Sequence, residues 1–285
     1  MKKRIISIVI IFVSLLFCLF SLRVNADMGP KASIEITFMD IKADEYYVTL
    51  LSKSKSTGQY SYFDEDYERF DEYYSKLNDI EKKFYHYKDS DNYYFVGNVQ
   101  KLSQNQNVYK WGYMPPNEFK ILVYIEESDT FIASCEHISR YAFNSYFTVY
   151  YKDGIITDIT KTYEYGKEIL NCIIRIMATL IIELGIALIF KYRKMSLLFI
   201  LITNVATQIL LNVFTNIDYY KNGGLSSTVL LIALEIIILF IESIIYAIFL
   251  PKIDSNNRRL KAILYALLAN ASSFAAGLLI FKMMM

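Results

Sequence analysis

The sequence predicts a membrane protein. It has a β-rich, sandwich-like extracytoplasmic domain with a helical insertion, followed by a four-helix transmembrane bundle. Three observations predict it: a cationic start leading into an apolar run, an acidic middle with strand-like alternation, and four long apolar runs at the end. Of 285 residues, 54% are apolar and 21% charged, which is too apolar for disorder and too charged for a chain lying wholly in lipid. Four Pro and ten Gly exclude collagen-like and low-complexity architectures. A formal net charge of +1 gives no basic surface, so no nucleic-acid partner is expected. That average hides a division, because residues 27–166 carry 23 acidic against 15 basic side chains.

The opening Met1-Lys2-Lys3-Arg4 precedes an apolar run from Ile5 to Leu22. Val24 and Ala26 then fit the small-residue rule for cleavage before Asp27, so residues 1–26 read as a signal peptide. An uncleaved anchor is the rival reading. Cys18 is no lipidation site, since bulky Phe17 precedes it. The spans are expected at about 169–190, 196–214, 227–250 and 260–281, because about 20 apolar residues cross the hydrocarbon core. If residues 27–166 are outside, Lys191-Tyr192-Arg193-Lys194 falls in the cytoplasm. So does the loop carrying Lys252, Arg258, Arg259 and Lys261. The intervening Thr215–Gly224 reads as an outer loop with one Lys and one Asp. Both basic loops thus satisfy the positive-inside rule, which places the protein in the cell membrane as a multi-pass chain. The C-terminus ends outside, and the lipid bilayer is the first expected partner.

Within residues 27–166, Ile34–Phe38 alternates, and Tyr46–Leu51, Phe119–Ile125, Thr130–Ser134 and Tyr146–Tyr151 are rich in aromatic and β-branched residues. Asp153-Gly154 and Pro115-Pro116 supply turn chemistry. Residues 64–91 carry ten acids and five bases at helix-permitting spacing, which predicts a solvated helical excursion. About 140 residues suffice to bury a core. Cys135 and Cys172 read as two free thiols, one bridge being the alternative, and no zinc pattern occurs.

Several segments resemble an uncharacterised family of exported clostridial-type membrane proteins. They are Ala26-Asp27-Met28-Gly29-Pro30-Lys31, Tyr46–Lys53 with Ser56-Thr57-Gly58, Trp111–Pro116 followed by Phe119–Leu122, and Arg140–Tyr146. In the apolar half, Asn204, Thr207, Gln208 and Asn212, then Glu235 with Glu242, then Asn270, Ser273, Phe274 and Gly277 continue the likeness. The resemblance covers nearly the whole chain. It implies an architecture of signal peptide, exported β-rich domain and four C-terminal spans, and it implies no activity.

The apolar runs contain Arg175, Glu183, Glu235 and Glu242. Each charge at a span centre costs about 2.5–3.5 kcal/mol, so these groups must face one another, a wet cavity or a partner chain. By helical rise, Arg175 and Glu235 lie roughly 7 and 4–5 Å outward of the centre, and Glu183 and Glu242 roughly 5 and 6 Å inward. Arg175 is therefore expected to pair with Glu235. No basic residue is embedded beside Glu183 and Glu242. Either one holds a proton, or a cation sits between them, or a basic loop side chain snorkels to them. Asn204, Gln208 and Asn212 recur every four residues on the second span, and Asn270 sits near the middle of the fourth. These are candidates for a proton or cation path, or for hydrogen bonds that set helix register.

Weaker candidates lie outside the spans. Asp64-Glu65-Asp66 lacks the spacing of a calcium loop, and nine Tyr in residues 60–94 read as half-buried surface. Trp111 and Tyr113 form an aromatic turn that offers a contact surface. His86 and His137 are the only histidines; His137 beside Glu136 and Cys135 reads as a surface group, since adjacent strand residues point to opposite faces and base and nucleophile must converge. No hydrolase, nucleotide or metal motif occurs, so no cofactor is expected and an enzyme is the less favoured class. The leading expectation is an extracytoplasmic binding or sensing domain coupled to the bundle. The alternative is a subunit of a proton- or cation-coupled transporter or channel using the intramembrane carboxylates. Four spans are few for that task, so it requires a homo-oligomer or a partner membrane protein.

Overall fold

In the computed structural model, which describes residues 30–55 and 63–284 and side chains up to residue 277, two β-sheets precede four long helices. The expected signal peptide and its cleavage point lie outside the described residues. The first sheet has the order β10 (Ile155–Lys161), β9 (Asn144–Lys152), β1 (Ser33–Met39), β5 (Val108–Trp111), with β1 parallel to β9. In the second, β3 (Tyr94–Phe95), β2 (Glu45–Ser52), β6 (Glu118–Ile125) and β7 (Thr130–Ala133) follow in order. There β4 (Gln100–Ser103) also pairs with β2, and β8 (Ile138–Ser139) with β6. Alternate residues Ile34, Ile36 and Phe38 of β1 and Phe147 and Val149 of β9 join Val48, Leu50, Ile121 and Val123 of the second sheet in one apolar cluster. Their period of two is what a half-buried strand requires.

Strands β2 and β6 are buried on both faces, so Phe119–Ile125 is apolar at every position but Lys120. Their second face, with Leu51, Leu122 and Tyr124, is covered by Phe84 of α2 (Asp79–His86) together with Tyr93 and Phe95. Helix α2 begins with a capping box, in which Asn78 accepts from the Glu81 amide and Glu81 accepts from the Asn78 amide. A shorter helix, α1 (Phe70–Ser75), precedes it. Lys120 occupies this same covered face of β6. Its side chain is 4% exposed, and its Nζ lies 3.1 Å from Asp89 Oδ1 and 2.5 Å from Asp91 Oδ2. Burial pulls the Lys120 pKa down, but hydrogen bonds to Asp91 and Asp89 outweigh it and hold the ammonium above the ordinary lysine value.

The four long helices are α3 (Tyr165–Ile189), α4 (Lys194–Asn222), α5 (Gly224–Ile253) and α6 (Arg259–Met284). All four are long and apolar enough to cross a membrane. Helix α3 packs against α4 and α6, and so does α5. Their amphipathicity is inverted. Thr179 and Glu183 on α3, Ser196, Asn204, Gln208 and Asn212 on α4, and Glu242 on α5 are buried, while Ile181, Leu188, Ile202, Leu210 and Ile244 are exposed. Such a surface is stable where the surroundings are lipid.

The expected outer loop Thr215–Gly224 is not a loop. Helix α4 continues to Asn222, and Gly223 alone separates it from α5. Hydropathy ends the apolar run at Phe214, but helical hydrogen bonding does not end with hydropathy. The 29 residues of α4 extend about 43 Å, beyond a hydrocarbon core of about 30 Å.

Replacing Lys120 by Met is expected to lower stability by about 3–5 kcal/mol, because it strands the buried Asp89 carboxylate. Trp111 is the single tryptophan and is buried, so its fluorescence during thermal unfolding of the full-length protein reads this loss directly. The pKa of Asp91 is lowered by its hydrogen bond to Lys120, so its stabilising contribution is present at neutral pH and fades as the solution is acidified through that lowered value.

Candidate functional site

Polar side chains from all four helices meet in one chain of contacts. On α4, Thr207 Oγ1 lies 2.7 Å from Glu242 Oε1 of α5. The Asn270 amide of α6 donates to Glu242 Oε2 at 2.9 Å. One turn along α6, Ser273 Oγ lies 2.9 Å from Glu183 Oε1 of α3. Glu183 and Glu242 are each 1% exposed, so both carboxyl groups are removed from the surroundings. Tyr246 donates to Asn204 Oδ1, and Tyr265 OH lies 3.3 Å from the Glu183 carbonyl oxygen. Two buried atoms in this core have no partner, Asn204 Nδ2 and Asn270 Oδ1. Gln208 is buried on the same face of α4, where its backbone carbonyl accepts from Asn212.

No basic side chain among the described residues forms an ion pair with either buried glutamate. The far loops keep their cations: Arg193 pairs with Asp254, and Lys261 donates to Asn257 and lies over the Tyr192 ring. The oxygens of Glu183, Glu242, Asn270, Ser273 and Thr207 form a hard donor set. Among the described residues, no group of three or more His, Cys, Asp or Glu converges as a metal site.

The expected Arg175–Glu235 pair is not formed. The Arg175 guanidinium instead donates to Asn216 Oδ1 of α4 at 2.9 Å, and its Nε is buried without a partner. Glu235 is half-buried on α5. Similar depth did not bring these two side chains together, because α3 packs on α4 and α6 and presents Arg175 toward α4.

Arg175 opens onto a cavity of about 740 Å³ between the first sheet and the near ends of the helices. Glu35 and Tyr146 line it from the strands, Glu164 and Glu168 from the strand-to-helix connection and the first turn of α3, and Asn216 and Tyr219 from α4. Tyr163 donates to Glu168 at its rim. Burial first, and then the Glu168 carboxylate, push the Tyr163 phenol well above its ordinary value, so it remains a donor. The sequence reading missed this cavity, since no motif marks a space formed by residues from β1 to α5. The run of polar residues at Thr215, Asn216 and Asp218, beyond the apolar part of α4, was the available signal.

The sheets and helices also touch directly. Phe143 N donates to Tyr220 O at 2.9 Å, and the rings of Tyr141, Tyr163, Tyr165 and Tyr220 cluster beside it, Tyr163 meeting Tyr141 and Tyr220 edge to face. Gly223 adopts φ +83°, and a Cβ placed there would come within 2.5 Å of the Phe143 ring. Glycine is therefore required twice, by backbone and by space.

Other sequence candidates are placed differently. Trp111 is 1% exposed and donates to the Tyr113 carbonyl, so its indole belongs to the core and only half-buried Tyr113 reaches the surface. Cys135 and His137 lie in a bend between β7 and β8 rather than on a strand, and Cys135 and Cys172 are both free thiols. His86 bonds to Tyr74. In the acidic stretch, Asp64 pairs with Lys55, and Glu72 with Arg69 and Lys76, all at the surface.

Length and composition of the four helices define a multi-pass membrane protein that lives in a lipid bilayer. The chain matches no protein-family model, no curated protein and no solved structure.

Gly223→Ala is expected to destabilise the full-length protein by about 1–3 kcal/mol through backbone strain and the Phe143 clash. Adding Phe143→Ala should relieve the clash and leave the strain. Thermal unfolding of the single and double variants separates the two.

Proposed function

We propose that this is a cell-membrane protein with its β-rich region outside the cytoplasm, and that it binds a small zwitterionic solute in the cavity between sheets and helices. In this reading the two sheets form a sandwich, the four helices a bundle, and the bundle responds to occupancy. The observation that carries it is the shared cavity, whose walls come from β1, β9, α3, α4 and α5. Arg175 supplies an unsatisfied buried donor for a carboxylate or phosphate, and Glu35, Glu164 and Glu168 supply acceptors for an amine. A cavity of this size suits a small molecule. Occupancy would bear on α3 directly, since only Thr162–Glu164 separates it from β10.

The orientation rests on loop charge. Lys191, Arg193 and Lys194 lie at the same end of the helices as Lys252, Arg258 and Arg259, as the Arg193–Asp254 pair and the Asn257–Ser196 hydrogen bond require. The sheets contact the opposite end. Basic loops remain preferentially in the cytoplasm.

Two measurements test this. Cys135 is free and exposed, so a membrane-impermeant maleimide should label it in intact cells, and Cys135→Ser should abolish the signal. Labelling only after lysis would reverse the orientation. Glycylglycine and phosphoethanolamine serve as zwitterionic probes. At least one should raise the unfolding temperature of the full-length protein in nanodiscs, and Arg175→Gln should remove that rise. A cavity indifferent to both probes would overturn the solute assignment.

A further inference from the structure

We infer that Glu183 and Glu242 form an intramembrane proton-binding site, with the Ser273 and Thr207 hydroxyls turning between carboxyl group and backbone as protons arrive and leave. This site is separate from the cavity at Arg175 and does not depend on what that cavity binds.

The hydroxyl geometry carries the argument. Ser273 Oγ lies 2.9 Å from Glu183 Oε1 and 3.1 Å from the Asn270 carbonyl oxygen. Thr207 Oγ1 lies 2.7 Å from Glu242 Oε1 and 3.1 Å from the carbonyl oxygens of Thr203 and Asn204. Each hydroxyl has one hydrogen and two or more acceptors in reach. Facing an ionised carboxylate, it donates to the carboxylate. Facing a protonated carboxyl, it accepts the acid hydrogen and turns its own hydrogen to the backbone carbonyl. Both charge states are satisfied without moving a helix. The proton is taken from water on binding and returned to water on release, with no other bond made or broken.

A second observation concerns the side chain of Asn270. The Asn270 amide nitrogen serves Glu242 Oε2 and the Ala266 carbonyl, which leaves Asn270 Oδ1 buried with no donor, in a residue only 4% exposed. A buried acceptor without a donor is one that a hydrogen carried into this cluster can satisfy.

The surrounding charges leave the acids uncompensated. On α3 the next charged group toward the sheets is Arg175, which is held by Asn216. Helix α5 adds half-buried Glu235 and the phenol of Tyr246, and α6 adds the phenol of Tyr265. The buried face of α4 brings Asn204 and Gln208 and no charge. Two carboxylates in low dielectric, without a base, do not both remain ionised. A metal cation fits the contacts less well. Three of the four carboxyl oxygens already have an amide or hydroxyl partner, and among the described residues no third carboxylate, His or Cys converges on them to complete a metal site.

Infrared difference spectroscopy of the full-length protein in phosphatidylcholine nanodiscs tests the assignment. A protonated-carboxyl band is expected at neutral pH and should be lost toward alkaline pH. Glu183→Gln and Glu242→Gln should each remove part of it and the double variant both parts, and these parts should persist in Glu235→Gln. Ser273→Ala and Thr207→Val keep both acids and should displace the band's frequency. They decide the matter if the Gln variants fail to fold, and an unmoved frequency there overturns the rotor. Absence of the band at neutral pH, or its removal by sodium chloride at constant pH, overturns the proton site, the latter in favour of a cation.

Discussion

A polar side chain on a helix in lipid is cut off from water, so it finds its partner within the protein, on a neighbouring helix or in the preceding turn of its own. The rest of the helical region depends on that constraint. It turns Glu183, Asn204, Gln208, Glu242, Asn270 and Ser273 inward and leaves the isoleucines and leucines outside. It also explains why the links are hydroxyls and amides. Such groups allow close approach and can donate or accept, so one arrangement of helices serves more than one hydrogen-bonding pattern. The contacts run from α4 to α5, from α5 to α6 and from α6 to α3, so the polar chain itself ties the four helices together.

At the near end a different physics takes over. Helix α4 overshoots the span that hydropathy assigns to it, and its last turns carry Asn216, Asp218, Tyr219 and Tyr220 around a lone Ile217. These turns meet the β-region through backbone and aromatic contacts around Phe143 and Gly223. The result is a mixed-charge cavity lined by polar side chains and bordering an apolar region, with one guanidinium at the boundary. A group that is costly in lipid is tolerable there, because the cavity provides polar surroundings.

Much of the architecture was legible. Alternation in Ile34–Phe38 and the aromatic and β-branched content of Phe119–Ile125 correspond to β1 and β6, and the four apolar runs correspond to α3–α6. Short strands such as β3 and β8, two residues each, were not legible, since so brief a segment has no period to read. Lys120 illustrates the limit well: in the sequence it breaks an apolar strand, and only the packing of α2 and its following loop supplies Asp89 and Asp91. The face of α4 was readable from its four-residue steps. The partners of that face were not, nor were Tyr246 and Tyr265, which look like ordinary apolar filler.

By itself, the sequence determined where the chain can cross lipid, which segments are strand-like, and which helix positions cannot face hydrocarbon. These are local properties of spacing and transfer energy, readable one segment at a time. Tertiary structure alone decided that Arg175 meets Asn216 rather than Glu235, that Glu183 and Glu242 are joined through Asn270 and Ser273, and that sheets and helices enclose a cavity. Depth along a helix follows from counting residues. The rotation of each helix about its axis and the choice of its neighbours follow from packing among residues far apart in the chain.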